Sequence, residues 1–247
     1  MTKGTFILGT DTDVGKTVVT AGLVYVLRSQ GYNACSFKSI QSGGIEKNGS
    51  LISADTHFVK KAADLQEEDS LLNPYCLKTP VSPHLAARLE GIEIKKERIF
   101  SAYNTLSRKY DYIIAEGSGG LMVPMLDKDY MLYHMIQELQ LPVVVVAKAG
   151  VGTINHTCLT VQAARHFCIE VKGIIINGYS GTIAERDNVD IIQSLTGVPV
   201  LAVIRRLEGL DVEAGRMGGL QEEFREKIPV EGLLKMMAEA KEVNSHA

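Results

Sequence analysis

The stretch Gly9-Thr10-Asp11-Thr12-Asp13-Val14-Gly15-Lys16-Thr17 constrains this chain more than any other. It follows a strand-like run at residues 5–8 and precedes a helical pattern. In that pattern Val18, Leu23, Val26 and Leu27 fall on overlapping turns, and Gly31 is placed to end it. A glycine-bearing loop at a helix start turns several backbone N–H groups inward, and the helix dipole adds positive potential there. Gly15 permits close backbone approach, Lys16 can reach β- and γ-phosphate oxygens, and the Thr17 hydroxyl can ligate Mg²⁺. The spacing departs from the usual one. Five residues separate Gly9 from Gly15 instead of about four, so Thr10 stands in the usual first-glycine place.

A phosphate loop of this kind needs a parallel sheet behind it. Near-continuous apolar runs at 5–8, 112–115, 142–147, 171–176 and 198–204, with a weaker one at 33–38, predict strands covered on both faces. Helical patterns at 153–167 and 183–195 follow two of them, the second stopped by Gly197 and Pro199. No linker, repeat or low-complexity stretch divides the chain. The expectation is an α/β fold over residues 1–247, one domain with a single doubly wound, mostly parallel sheet and helices on both faces. Its ligand should sit at the carboxyl ends of the strands. Residues 43–110 break the alternation: Asn73-Pro74-Tyr75, Thr79-Pro80 and Ser82-Pro83-His84 favour loops or turns. They read as an irregular insertion passing over the sheet edge, and a segment this long is more often functional than idle.

Composition excludes several classes. With 29 acidic against 26 basic side chains and a formal net charge of −3, phosphate-neutralising nucleic-acid binding is not expected. The longest apolar run, 141–147, is far short of the roughly 20 residues a membrane span needs, and nothing at the N-terminus reads as a targeting signal. Cys35, Cys76, Cys158 and Cys168 show no C-x-x-C spacing and read as reduced thiols of a cytoplasmic protein. The tail from Lys241 to Ala247 is expected to fray. Met122, Met125, Met131 and Met135 read as a soft apolar strip filling core or dimer contacts.

Two further charges belong with the phosphate loop. Glu116 closes the apolar run Tyr112-Ile113-Ile114-Ala115 and precedes Gly117-Ser118-Gly119-Gly120. A carboxylate there resembles a Walker-B acid, able to hold Mg²⁺ directly or through water. Lys38, ending the weaker strand, would point toward the same crevice, although spacing alone favours a solvated surface lysine. His84, His134, His156 and His166 form no metal-ligand spacing on one helix.

Taken together, these pieces resemble the dethiobiotin synthetase family, of the P-loop NTPase type. The matching segments are the phosphate loop, Lys38 with Gln41-Ser42-Gly43, Ala54-Asp55, Asn73-Pro74-Tyr75, Ser82-Pro83-His84, Glu116-Gly117-Ser118-Gly119-Gly120 and Ile154-Asn155-His156. The resemblance implies a ligase that joins CO₂ to 7,8-diaminononanoate at the expense of ATP, through a carbamate and a carbamic-phosphoric mixed anhydride. It implies catalytic roles for Lys16, Lys38 and Thr12. Nucleotide binding would fall to Asp13, Val14, Gly15, Lys16, Thr17, Val18, Asp55, Glu116, Gly117, Ser118 and Gly119, with Mg²⁺ on Thr17, Asp55 and Glu116. Ser42 would bind substrate. Gly152, Thr153, Ile154 and Asn155 would receive the substrate carboxylate of the partner subunit in a homodimer. Asn177 and Arg205, Arg206 and Leu207 would lie at the adenine.

This sequence departs from the family pattern at Asp13, at Gly178 and at the Arg205-Arg206 pair. The last two suggest looser base selectivity. A nucleotide-dependent switch or partitioning-type ATPase is the alternative, since it shares the strand–loop–helix start. It would need a second lysine early in the loop, where Asp11 stands. A cobyrinate-type synthase would need a glutamine-hydrolysing domain for which no room remains.

Overall fold

A computed structural model describes residues 2–47 and 49–243. The chain begins with β1 (Lys3–Gly9), α1 (Lys16–Ser29) and β2 (Ala34–Lys38). The stretch up to the next long strand carries β3 (Ile40–Ser42), β4 (Ile45–Lys47), β5 (Ser50–Ile52), α2 (Ala54–Ala63), α3 (Asp69–Leu72), β6 (Tyr75–Leu77), α4 (Pro83–Glu90) and α5 (Lys96–Lys109). Regular alternation then resumes with β7 (Tyr112–Glu116), α6 (Leu132–Leu139), β8 (Val143–Lys148), α7 (Thr153–His166), β9 (Val171–Tyr179), α8 (Ile183–Thr196) and β10 (Val200–Arg205). The described chain closes with α9 (Leu220–Lys227), α10 (Val230–Lys235) and β11 (Ala238–Glu239).

Six parallel strands form the main sheet in the order β10-β9-β8-β1-β7-β2, and β11 pairs antiparallel with the start of β1. The six apolar runs of the sequence are these six strands. Alternate side chains serve opposite faces, as the two-residue period of a strand requires. Phe6, Leu8, Val143 and Val145 enter one core with α5, α6 and α7, while Ile7, Val144 and Val146 enter the other with α1, α2 and α9. Both faces are covered, so the strands read as continuous apolar runs. Helix α1 lies between sheet, α2 and α9, and its residues from Lys16 to Leu27 are all buried.

Three expectations need correction. Pro83 opens α4 at its first helical turn instead of making a loop, because proline lacks only an N–H that a helix start leaves unbonded anyway. Residues 43–110 are not irregular throughout: two small two-stranded sheets, β3–β6 and β4–β5, and four helices occupy the connection from β2 to β7. The tail is tied down to Val243: Ala240 donates to the Thr2 carbonyl, and Val243 exchanges two hydrogen bonds with the Asn104 side chain. The rest of that expectation, residues 244–247, lies outside the described residues. Among the described residues no helix is long and apolar enough to cross a membrane.

Candidate active site

Strand register brings the expected charges together. Glu116 sits opposite Lys38 on one side and Ile7 on the other, so β2, β7 and β1 end side by side where the loop after β1 begins. That loop is held against β8 by a bond from the Thr10 N–H to the Val146 carbonyl. Asp13 adopts a left-handed backbone, which aspartate tolerates better than most residues. Gly15 has φ +94°, and a Cβ there would lie 1.9 Å from the Asn177 amide nitrogen. Glycine is therefore required twice over, by conformation and by space. Asn177 donates to the Val14 carbonyl at 3.0 Å and so braces the loop from β9.

A cavity of about 580 Å³ opens at this edge. Its walls include Thr12, Asp13, Gly15, Lys16, Thr17 and Val18 from the loop and α1, with Lys38, Ser42, Asp55, Glu116, Ser118 and Gly119. Lys38 is 8% exposed, so the solvated reading of this lysine is wrong. It lies at the end of β2, and its ammonium donates to Asp55 Oδ2 and, at 2.7 Å, to Glu116 Oε1. Thr17 Oγ1 donates to the same Glu116 oxygen at 2.9 Å. Lys16 donates to the Asp11 carbonyl at 2.9 Å.

The two lysines are tuned in opposite directions. Burial, reinforced by the neighbouring Lys38 charge, lowers Lys16 to about 8. Burial also opposes the charge on Lys38, but the Asp55 and Glu116 carboxylates overcome it and raise its pKa above the ordinary lysine value. Lys38 is thus held charged and Lys16 is poised for an anion.

The donor set fits Mg²⁺. A hydroxyl and two carboxylates are hard oxygen ligands, and they converge on one corner of a cavity large enough for polyphosphate. Among the described residues no cluster of three or more His, Cys, Asp or Glu side chains forms a self-sufficient cage.

Other expected residues lie outside the cavity wall. Gly117 is buried beneath it, where a Cβ would meet Leu132 and Phe6. Val14 is buried in the core on the α1 side. Arg205 turns to Glu223 and Glu226 on α9, Arg206 is exposed with its N–H on the Tyr179 carbonyl, and Leu207 packs against the core. Gly152, Thr153, Ile154 and Asn155 open α7 beyond the end of β8, with Val151 and Asn155 facing solvent. Of the methionine strip, Met125 and Met135 are core residues and Met122 is exposed.

The structure also adds cavity residues without an assigned role in the sequence reading: Gln41, Gly43, Pro80, Val212 and Glu213. Gln41 stood beside Ser42 in the Gln41-Ser42-Gly43 segment and could have been noticed there. Val212 and Glu213 follow β10 in a loop with no pattern of its own.

A parallel sheet with a glycine–lysine–threonine loop, a strand-end acid and a buried lysine pair defines a P-loop nucleotide-binding protein. The model of the AAA domain matches residues 3–214. Solved structures share the fold: a ParA family ATPase from Chlorobium tepidum TLS has a TM-score of 0.60 at 15% identity, covering 92% of this chain and 98% of that one. The MinD cell division protein of Aquifex aeolicus gives 0.61 at 13%, covering 96% and 99%. At such identities the likeness is one of fold alone. Sequence relatives are far nearer. The ATP-dependent dethiobiotin synthetase of Clostridium kluyveri is 44% identical over 223 residues, 88% of this chain and 92% of the relative. That of Clostridium novyi is 48% identical over 212 residues, 84% and 89%. The chain belongs to the ATP-dependent dethiobiotin synthetase family, a family of ligases.

Proposed function

We propose that this chain carries out the ATP- and Mg²⁺-dependent carboxylation and ring closure of 7,8-diaminononanoate with CO₂, giving dethiobiotin, ADP and phosphate. One amine adds to CO₂ and loses a proton, giving a carbamate. A carbamate oxygen attacks the γ-phosphorus and ADP leaves; the second amine then attacks the carbonyl carbon and phosphate leaves with that oxygen. The obstacle is an anion approaching a polyanion. Lys16 and Lys38 in one cavity are the observation that carries the reading, because two cations on the reacting side lower that repulsion. Mg²⁺ on Thr17, Asp55 and Glu116 would neutralise charge on the β- and γ-phosphate oxygens.

Thr12 and the backbone from Asp13 through Val18 cradle phosphate, with Ser118 and Gly119 facing them across the cavity. Ser42 orients the diamine, and the held second amine attacks intramolecularly, which removes most of the entropic barrier to closure. Gly152, Thr153, Ile154 and Asn155 of one subunit receive the substrate carboxylate of the other, in keeping with the preference of helix N-termini for anions. The exposed apolar Val151 and Leu159 on that segment support a homodimer built over α7. The four unbridged cysteines are in keeping with a cytoplasmic setting.

Oxygen tracing tests the chemistry. With ¹⁸O-labelled bicarbonate and short reaction times, released phosphate should carry one labelled oxygen. Unlabelled phosphate accompanying labelled dethiobiotin would overturn the mixed-anhydride route.

A further inference from the structure

Gln41 lies in the same cavity, is 6% exposed, and has no place in the reaction as described so far. Its surroundings orient it. Ser53 caps α2 by accepting the Thr56 N–H at 3.1 Å, and Thr56 Oγ1 lies 2.8 Å away. The Ser53 hydroxyl donates to Gln41 Oε1. Ser53 and Thr56 are both buried, so this chain of bonds is shielded from water. With the oxygen end taken, the carboxamide nitrogen points the other way. No described protein group accepts from it, and it is not among the sealed polar atoms left without a partner. Its N–H groups therefore open on the cavity, whose wall Ser42, Lys38 and Asp55 share.

A donor of this kind, mostly desolvated and held in one orientation, is a recognition element for an anionic oxygen. We propose that Gln41 binds substrate, donating its free amide N–H to an oxygen of the carbamate while Ser53 holds the carboxamide in place. This rests on the carbamate reading given above. The Ser53 contact also ties Gln41 to the cap of α2, the helix whose first turn carries Asp55, so the proposed substrate and metal ligands share one support.

Two replacements separate the donor from its support. Gln41→Glu keeps the shape and the acceptor for Ser53, but sets an anionic oxygen where the N–H groups were. Gln41→Met keeps approximate volume and loses both ends. The donor role predicts an order: kcat/KM for the diamine falls roughly 10-fold in Gln41→Met and about 100-fold or more in Gln41→Glu, with ATP-analogue affinity unchanged in Gln41→Met. A purely structural role predicts the reverse order, because only glutamate preserves the bond from Ser53. Gln41→Glu equal to or faster than Gln41→Met overturns the proposal. Calorimetric binding of diamine with bicarbonate gives the same ordering without turnover, and Gln41→Leu takes the place of Gln41→Met in the comparison where the methionine variant folds poorly. A parent protein that does not carboxylate the diamine at all would remove the underlying reading and this proposal with it. A parent protein that does so, with the wrong order of variants, removes this proposal alone.

Discussion

Replacing Lys38 by methionine probes the charge balance on which the site depends. Lys38 and Glu116 are 8% and 3% exposed, and the ammonium bridges Glu116 to Asp55. Methionine fills most of the volume and removes the ammonium that bridges the two carboxylates, leaving Lys16 as the cation near them. Removing one partner of a buried ion pair costs about 3–5 kcal/mol. The Asp55 side chain keeps 21% of its exposure, so the lower end, about 3 kcal/mol, applies. In a chain of this size each kcal/mol moves the melting temperature by roughly 2–4 °C, so Lys38→Met should melt about 6–12 °C below the parent protein in EDTA. A divalent cation can take the place of the lost ammonium. Millimolar MgCl₂ without nucleotide should therefore restore much of the loss in Lys38→Met, while raising the parent protein less, since there the ammonium must first withdraw. Thermal melts of both proteins in EDTA and in MgCl₂ read this directly. A variant melting within about 2 °C of the parent in EDTA, or one gaining no more from Mg²⁺ than the parent does, would refute the reasoning.

Lys16 supplies a pH-dependent counterpart. Its folded value of about 8 lies below the usual 10.5, so its charge penalises the nucleotide-free fold fully below pH 8, and the penalty fades as pH rises toward 10.5. Triphosphate restores the charge, so nucleotide binding should take up about half a proton at pH 8 and almost none at pH 6.5, by calorimetry in buffers of differing ionisation enthalpy. Gly22→Ala should destabilise the protein despite better helix propensity: the new Cβ would lie 2.2 Å from the buried Phe224 ring, and overpacking of about 3 kcal/mol less about 1 kcal/mol of propensity lowers the melting point by roughly 4–8 °C. An unchanged melting point would show that α9 moves aside freely. Steady-state rates with GTP, CTP and UTP should fall within roughly tenfold of the ATP rate, since the Asn177 amide is engaged by the loop, Gly178 has no side chain and Arg205 is turned to α9. A strong preference for ATP would contradict this.

The sheet was legible because its strands are covered on both faces, so β1, β7, β8 and β9 stand out as apolar runs within a few residues of their observed limits. Strand β10 begins two residues after its apolar run does, because Val198 and Pro199 extend the run before pairing with β9 begins. The small sheets were not legible: three-residue strands such as β3 and β6 are too short to show a period, and their pairing is decided by packing against α4. Within the site, Lys16, Thr17 and Glu116 announce themselves by position at a loop or strand end. The burial of Lys38 does not, because it follows from where α2 carries Asp55, a matter of tertiary contact. Val212 and Glu213 are hidden for the same reason, since each reaches the cavity from a loop whose local pattern is silent about the partner across from it, whereas Gln41 lies in a segment that the sequence does mark.

The most direct test of the central claim is a single stoichiometric measurement. The protein is incubated with diaminononanoate, ¹⁴C-bicarbonate and Mg-ATP, and acid-stable radioactivity is measured together with released phosphate, leaving out each component in turn. The account predicts that one phosphate is released per carbon fixed, and that neither appears when the diamine, bicarbonate or Mg-ATP is absent. Phosphate release that continues unchanged without the diamine, with no carbon fixed, would contradict it.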